Sequence, residues 1–312
     1  MDGGASPLFP PANLRADQAQ ETLLHLLRRD PRQLGETSTR WTLSQVLSHC
    51  QQWGWHLGSL SGLCHLLDRL HLHFKRGRDH VHSPDPLYEA KVHWLDAMLE
   101  QVRTGDGHQA LLYLDELTYY RQPSIGYGYE LAGSDRPYAE RSYRSNTTTR
   151  VVAALDALTG RVFSHQGSKV DVDALVGLYQ QIATSYPAGQ RIWVVQDNWP
   201  VHFHPDVLVA LEEQVRPFPF RPAPNWPLEP SERARKKWGK WRLPIQIVPL
   251  PTYASWLNPV EKLWRLLKQD VLHLHRLADD LPTLRQLVLS FLQRFVGGSL
   301  DLLRAVGLGI PP

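Results

Sequence analysis

What most constrains the fold is a set of short, almost wholly apolar runs that each stop at or near an acid. Ile192-Trp193-Val194-Val195-Gln196 leads into Asp197, and Leu111-Leu112-Tyr113-Leu114 leads into Asp115-Glu116. Runs this apolar are buried strands rather than solvated surface ones. A third run, Ile245 to Leu250, precedes Tyr253-Ala254-Ser255-Trp256-Leu257-Asn258-Pro259-Val260-Glu261, which puts a carboxylate on the first turn of a helix. A carboxylate at a strand's C-terminal edge sits where open α/β sheets place their ligands. For Asp197 alone, a helix N-cap or turn role is the commoner outcome. Three acids at element ends, from distant parts of the chain, are what two-metal phosphoryl transfer needs. Magnesium prefers oxygen ligands, and two such ions can hold the attacking and the leaving oxygen in line. Close carboxylates also repel one another, so the cluster calls for a cation.

Upstream of the first strand the periodicity is helical. Residues 1–16 are irregular, Gln18 to Arg29 is a short helix stopped before Pro31, and Thr39 to Leu47 is a helix with Trp41, Val46 and Leu47 as its apolar stripe. After a break from Gly54 to Gly58, Ser59 to Leu72 forms the next helix, with Leu60, Leu63, Leu67 and Leu70 on one face. Helix, glycine-containing turn, helix is the helix-turn-helix pattern, and an ordinary helical hairpin fits the same periodicity. Its outward residues are Ser59, Ser61, His65, Asp68 and Arg69. Phe74 to Pro86 reads as a basic, proline-containing linker with Lys75, Arg76 and Arg78. Leu87 to Arg103 is an amphipathic helix with Leu87, Ala90, Trp94, Met98 and Val102 on its apolar side.

From Gln109 strands take over: Ala110 to Asp115, Arg150 to Ala154 and Arg161 to His165, the last two joined by a turn at Asp156 to Gly160. Strands at Arg191 to Gln196 and Ile245 to Leu250 follow, with helices at Val170 to Ser185, His204 to Gln214, Pro259 to Leu272 and Thr283 to Phe295. Strands first antiparallel, then alternating with helices, make an α/β mixed sheet with helices on its faces.

At 312 residues the chain has room for two domains, and 42% hydrophobic content with 11 tryptophans is ample for a buried core. A net charge of +3 permits nucleic-acid binding without demanding it. Cys50 and Cys64 lack the number and spacing for a disulfide framework or a thiolate zinc site, and both are expected as buried free thiols in a reducing compartment. No apolar run reaches the length of a membrane span, and the N-terminus lacks a basic, then apolar leader, so a cytoplasmic location is expected.

Leu114-Asp115-Glu116, Gln196-Asp197-Asn198-Trp199-Pro200-Val201-His202, the block from Tyr253 to Trp264 and His275-Arg276-Leu277-Ala278-Asp279 together resemble the DDE transposases of the mariner superfamily, in their bacterial insertion-sequence branch. The resemblance implies an RNase H-like catalytic domain preceded by a small all-α helix-turn-helix domain. It sets residues 1–74 as the N-terminal helical region, 75–86 as linker and 87–312 as catalytic domain. Carried over, Asp115, Asp197 and Glu261 fall on the catalytic, metal-binding triad. Glu116, Asn198, His202 and Asn258 are candidates for supporting positions, Glu116 being equally well a surface acid. The implied cofactor is two magnesium ions, with manganese able to substitute. The implied partners are double-stranded DNA, as element terminal inverted repeats and as target, and a second copy of the chain on DNA. The implied reaction is strand cleavage at element ends followed by transfer of the freed 3′-hydroxyl into target DNA, in the family at TA dinucleotides. A catalytically silent, DNA-binding remnant that regulates element ends is the alternative, and a general RNase H-type nuclease is a third reading.

Two stretches stand apart from this pattern. The second and third acids are 261 − 197 = 64 positions apart, where the family keeps about three dozen, a helix plus a strand. The excess lies around 216–244 and carries Arg235, Lys236, Lys237 and Lys240 among tryptophans. It reads either as a phosphate-tracking, base-stacking insertion or as a helical excursion whose tryptophans cap the core. Between the first two strands Arg136, Arg141, Arg144 and Arg150 alternate with Tyr138 and Tyr143. The family's equivalent loop grips DNA or a second subunit; a surface loop is the other reading. Candidate DNA contacts are thus Ser59, Ser61, His65, Arg69, Lys75, Arg76, Arg78, Arg141, Arg144, Arg235, Lys236, Lys237 and Lys240. Only one helix-turn-helix precedes the linker, where relatives commonly carry two.

Overall fold

The computed structural model describes residues 15–75, 82–105, 107–133, 135–220 and 225–309. Arg76 and Arg78 lie outside them. The chain divides into two compact units, Met1–His80 and Val81–Pro312.

The first unit holds helices α1 (Ala16–Arg28), α2 (Leu43–Gln52) and α3 (Leu60–Arg69), with a 3-10 turn at Pro31–Leu34. They close on Leu23, Leu26, Val46, Cys50, Trp55, Leu63, Leu66 and Leu70. Helix α2 starts later than its periodicity suggests. The Thr42 hydroxyl accepts from the Gln45 backbone N–H while Gln45 reaches back to the Thr42 N–H, a reciprocal cap that leaves Arg40 and Trp41 outside. The buried stripe of α3 is Leu63, Leu66 and Leu70; Leu60 is exposed and Leu67 only half-buried, a correction to the expected face. Cys64 lies one residue off that stripe and is exposed, so only Cys50 is the buried thiol expected, its pKa pushed up to about 11 by burial.

The second unit is built on a five-stranded sheet: β1 (Gln109–Tyr120), β2 (Thr148–Asp156), β3 (Val162–Gly167), β4 (Arg191–Gln196) and β5 (Ile245–Pro249), in spatial order β3-β2-β1-β4-β5. The first three pair antiparallel, and β4 and β5 join β1 in parallel. The β2–β3 turn is fixed by Asp156, whose Oδ1 accepts from Leu158 N and Thr159 N, both at 2.8 Å. Gly160 adopts φ +67°, and a Cβ there would stand 2.2 Å from the Ser299 carbonyl oxygen, so glycine is required.

Alternation along the strands divides the interior in two. Leu111, Tyr113, Trp193, Val195 and Val248 face α4 (Tyr88–Thr104), α8 (Val260–Leu267), α9 (Leu281–Gln293) and α10 (Leu300–Val306). Leu112, Leu114, Ile192, Val194 and Ile247 face α5 (Val172–Ala183), α6 (Pro205–Leu208) and α7 (Glu232–Trp238). Ala90 of α4 is exposed, and the buried position one residue on belongs to Lys91. The helix expected from His204 to Gln214 shrinks to α6. Beyond it Leu211 bridges Leu243, the Gln214 amide donates to the Ile245 carbonyl at 2.8 Å, and Val215 N donates to Gln246 Oε1 at 2.7 Å, so the segment runs beside β5 instead of coiling. Helix α8 ends earlier than Leu272 because Lys268–Leu272 widens into a π-type turn. Among the described residues no helix is long and apolar enough to cross a membrane.

Candidate active site

Strands β1 and β4 run parallel up to the rung joining Tyr113 to Val195. Asp115 and Asp197 each lie two residues beyond that rung, where the two chains part. Pleating sends Asp115 to the α8 face of β1 and Glu116 to the opposite face.

On the α8 face, Trp264 is fully buried and donates from Nε1 to Asp115 Oδ2 at 2.8 Å. Glu261 stands in the first turn of the same helix, where the dipole favours a carboxylate. Asn258 is buried and fixes this end of the helix against the sheet. Its Nδ2 donates to the Leu114 carbonyl at 2.9 Å, and its Oδ1 accepts from Val260 N at 3.2 Å. Burial, then the charges of Glu261 and Glu116, push the Asp115 carboxyl up to about 8 against the opposing Trp264 N–H.

Just past the end of β4, Asp197 Oδ1 accepts from Trp199 N at 2.9 Å, and Pro200 opens a 3-10 turn through Phe203. The turn carries His202 inward to full burial. His204 caps α6, its Nδ1 accepting from Asp206 N at 3.1 Å. His202 Nε2 stands 3.1 Å from Asp197 Oδ1 and 3.4 Å from Glu116 Oε1. These are ion-pair separations without hydrogen-bond alignment; both His202 nitrogens and Glu116 Oε1 lack a directed hydrogen bond. Burial opposes an imidazolium there, yet the charge of Glu116 and the contacts to Asp197 prevail and push His202 up to about 9. Burial likewise works against the Asp197 carboxylate, but His202 and the Trp199 N–H hold it below its ordinary range.

The donor set suits a divalent cation. It is rich in carboxylate, it includes the buried and unsatisfied Glu116 Oε1, and Glu261 and Glu116 add to burial in raising the Asp115 carboxyl, a conflict that positive charge removes. Ligand atoms of Glu116, Asp197 and His202 all lie within 4.8 Å of one another.

The remaining candidates are dispersed. Asn198 Nδ2 donates to the Leu250 carbonyl at 2.8 Å, bracing the turn after β4. Ser59, Ser61, His65 and Arg69 are exposed on or beside α3, although the Ser59 hydroxyl is engaged as the helix cap, accepting from Gly62 N. Lys75 and Arg141 are exposed, and Arg144 Nε stands 3.5 Å from Asp279 Oδ1. In the insertion, Ala234 and Trp238 of α7 are buried against the α5 face, and Arg233 Nη2 meets Asp173 Oδ2 at 2.6 Å. Lys237 also pairs with Asp173, Arg235 with Glu229 and Lys236 with Glu232, leaving Lys240 exposed beyond the helix. The helical, core-capping reading fits this packing.

Sequence reasoning missed two supports. Trp264 was read as part of a motif without its bond to Asp115. The other is the pair Lys91–Asp85, 2.9 Å apart with both side chains buried. Lys91 Nζ also donates to the Leu250 carbonyl, and Asp85 Oδ2 accepts from Thr252 N at 3.0 Å. The two residues are only six apart, but the backbone groups that make their burial tolerable, the Leu250 carbonyl and the Thr252 N–H, come from 159 and 167 residues away.

Residues 110–285 match the family described as DDE superfamily endonuclease. The Insertion element IS630 uncharacterized 39 kDa protein of Shigella sonnei is 19% identical over 203 residues, 65% of this chain. The chain spans about half the length of that curated relative, 50%. Among solved structures, the Mos1 mariner paired end complex with Mn is similar over 98% of this chain and 78% of its own, with TM-score 0.59 and 15% identity. The Mos1 Strand Transfer Complex is similar over 98% and 77%, with TM-score 0.58 and 16% identity. At these identities the likeness is one of fold, and the mixed sheet is the RNase H-like arrangement expected from the sequence.

Proposed function

The chain belongs to the DDE superfamily endonucleases, and from that premise we propose that it is an insertion-sequence transposase that cuts DNA at its element's ends and joins the freed 3′-hydroxyl to target DNA. The observation that carries the reading is that Asp115 on β1 is buried with Glu261 of α8 close enough to perturb it, while Asp197 leaves β4 at the same edge of the sheet, each Asp two residues beyond the last β1–β4 rung. Solved complexes of the similar Mos1 protein include one with Mn and one with Mg, which supports divalent cations as cofactors here.

Bound in pairs, such cations neutralise the phosphodiester's charge and lower the pKa of an attacking hydroxyl. The chain's own residues make that binding possible. Asp115, Asp197 and Glu261 supply oxygen ligands, Trp264 orients Asp115 through its N–H, and Asn258 fixes the spacing between β1 and α8. Nothing covalent is asked of the protein, whose work is positioning and charge. The partners are double-stranded DNA, as terminal repeats and as a TA target, and a second copy of the chain on that DNA. The helix-turn-helix unit would read the ends through Ser61, His65 and Arg69.

The test is cleavage of a labelled duplex carrying the gene's own flanking ends, with magnesium and with manganese, by wild type and Asp197→Asn. Metal-dependent cutting at the element boundary by wild type alone is expected. Sequence-specific binding without cutting would sink the enzymatic reading in favour of a regulator of element ends, and preferential cutting of RNA–DNA hybrids would favour a general nuclease.

A further inference from the structure

Glu116 and His202 lie outside the three acids to which the proposed reaction is assigned, yet the fold spends three separate elements on bringing them to Asp197. Glu116 comes from β1, Asp197 from the end of β4, and His202 from the 3-10 turn that Pro200 starts. The imidazole is fully buried, with Trp199 and Phe203 set edge-on to it at ring-centre distances of 5.5 and 6.5 Å. Its rotamer is therefore fixed by packing, with Nε2 aimed at the two carboxylates. Among the described residues no lysine or arginine pairs with either acid; His202 is the partner of both.

The spacing of the donors is informative. Ligands about 2.0–2.2 Å from a metal are about 3 Å apart along an octahedral edge and about 3.4 Å along a tetrahedral one. Nε2 is 3.1 Å from Asp197 Oδ1 and 3.4 Å from Glu116 Oε1. Both separations are those of adjacent ligands around one ion. The absence of hydrogen-bond alignment at either contact, with both ring nitrogens and Glu116 Oε1 lacking a directed hydrogen bond, fits a third body that all three groups face.

We propose that Glu116, Asp197 and His202 form a mixed oxygen–nitrogen site for one divalent transition-metal ion, manganese or zinc, beside the oxygen-only pair Asp115 and Glu261. The inference rests on the reading that Asp197 holds a catalytic cation, and adds that its neighbours select which one. Imidazole suits zinc, and manganese, though it favours oxygen, accepts a nitrogen ligand more readily than magnesium does, so His202 tilts this position away from magnesium.

The full chain, stripped of metal and given substoichiometric manganese, provides the test by pulsed electron paramagnetic resonance. A directly bound imidazole nitrogen modulates the manganese echo. The modulation is expected in wild type and in His204→Asn, and is expected to vanish in His202→Asn. Manganese affinity should fall roughly tenfold or more in both His202→Asn and Glu116→Gln, with magnesium affinity falling less in His202→Asn. Should His202→Asn fail to fold, Glu116→Gln carries the test through its affinity alone. Oxygen-only manganese in wild type would mean that His202 is merely an imidazolium bridging two acids, and would overturn the proposal. So would nitrogen coupling that survives in His202→Asn, which marks an adventitious histidine, or wild-type manganese affinity in Glu116→Gln. Wild type that cuts DNA with magnesium yet shows oxygen-only manganese defeats this inference and leaves the transposase reading standing. Nitrogen-coupled manganese in a protein that never cuts DNA does the reverse.

Discussion

Substituting Asp115→Asn should stabilise the metal-free protein at alkaline pH and abolish its activity. The carboxyl ordinarily titrates at 3.8 and is pushed up to about 8 in the fold, chiefly by burial and then by Glu261 and Glu116. A raised carboxylate pKa means that the folded chain binds more protons than the unfolded one between those two values. Stability contributed by this group is therefore greatest at low pH and is lost as pH rises through that window. From pH 5 to pH 8 the folded group goes from fully to about half protonated while the unfolded group stays ionised. At about 1.4 kcal/mol per pH unit, the loss is about 4 kcal/mol as an upper bound. Glu261 is exposed, so solvent screens its share and the measured loss should lie between about 1 and 4 kcal/mol. Asparagine keeps an oxygen for the Trp264 N–H but cannot ionise, so the variant should lack this component. The assay is urea unfolding in a metal chelator at pH 5 and pH 8, for wild type and variant. Histidine 202 also has a raised pKa and also loses stability with rising pH, but it is present in both proteins, so the difference between the two pH profiles isolates Asp115. Identical profiles would refute the argument that Asp115 sits buried among unneutralised acids.

The same physics sets the remaining expectations. Lys91→Met strands the buried Asp85 carboxylate and should cost about 3–5 kcal/mol in urea unfolding, whereas Lys91→Met with Asp85→Leu should recover much of that loss; equal losses would show that the pair is not coupled. The Asp85 carboxyl is held below its ordinary range by Lys91 and two backbone N–H groups in spite of burial, so its contribution should be present at neutral pH and disappear as pH falls through the lowered value. Trp264→Phe keeps the packing but removes the donor to Asp115, and should weaken manganese binding about tenfold as read by titration, with unfolding stability changed by about 1 kcal/mol. Trp238→Ala should cost about 3–5 kcal/mol, while Lys240→Ala leaves stability within about 0.5 kcal/mol, the contrast that a core-capping insertion requires.

The acids were legible because their signal is local. An apolar strand that stops at an acid says where the side chain emerges, and Pro259 followed by Glu261 sets a carboxylate in a first turn. The supports were not legible, because each depends on a partner far away in sequence. Periodicity marks Lys91 as a solvent position, and only Asp85 and the Leu250 carbonyl make its burial tolerable. Basic residues of the insertion look free until Asp173, on another helix, takes two of them. Cys64 was a simpler error: an apolar helical context suggested burial, but the buried stripe runs through Leu63, Leu66 and Leu70, not through Leu60 and Leu67, and leaves Cys64 outside it. His202 was legible as a supporting position but not as a contact of both acids: Pro200 commits the segment to a 3-10 turn, and only that turn, packed against β1, brings the imidazole to Glu116 as well as Asp197. Local pattern thus located the charges that a phosphodiester requires, while the long-range contacts decide how they are held. A Lys91–Asp85 clamp on Leu250 and Thr252, with Asn198 on the same Leu250 carbonyl, ties the turn carrying Asp197 to the segment leading to Glu261. Acids that repel one another are thus held on a backbone fixed chiefly by neutral and oppositely charged groups on both sides of them, with Asp197 adding its own bond to the Trp199 N–H.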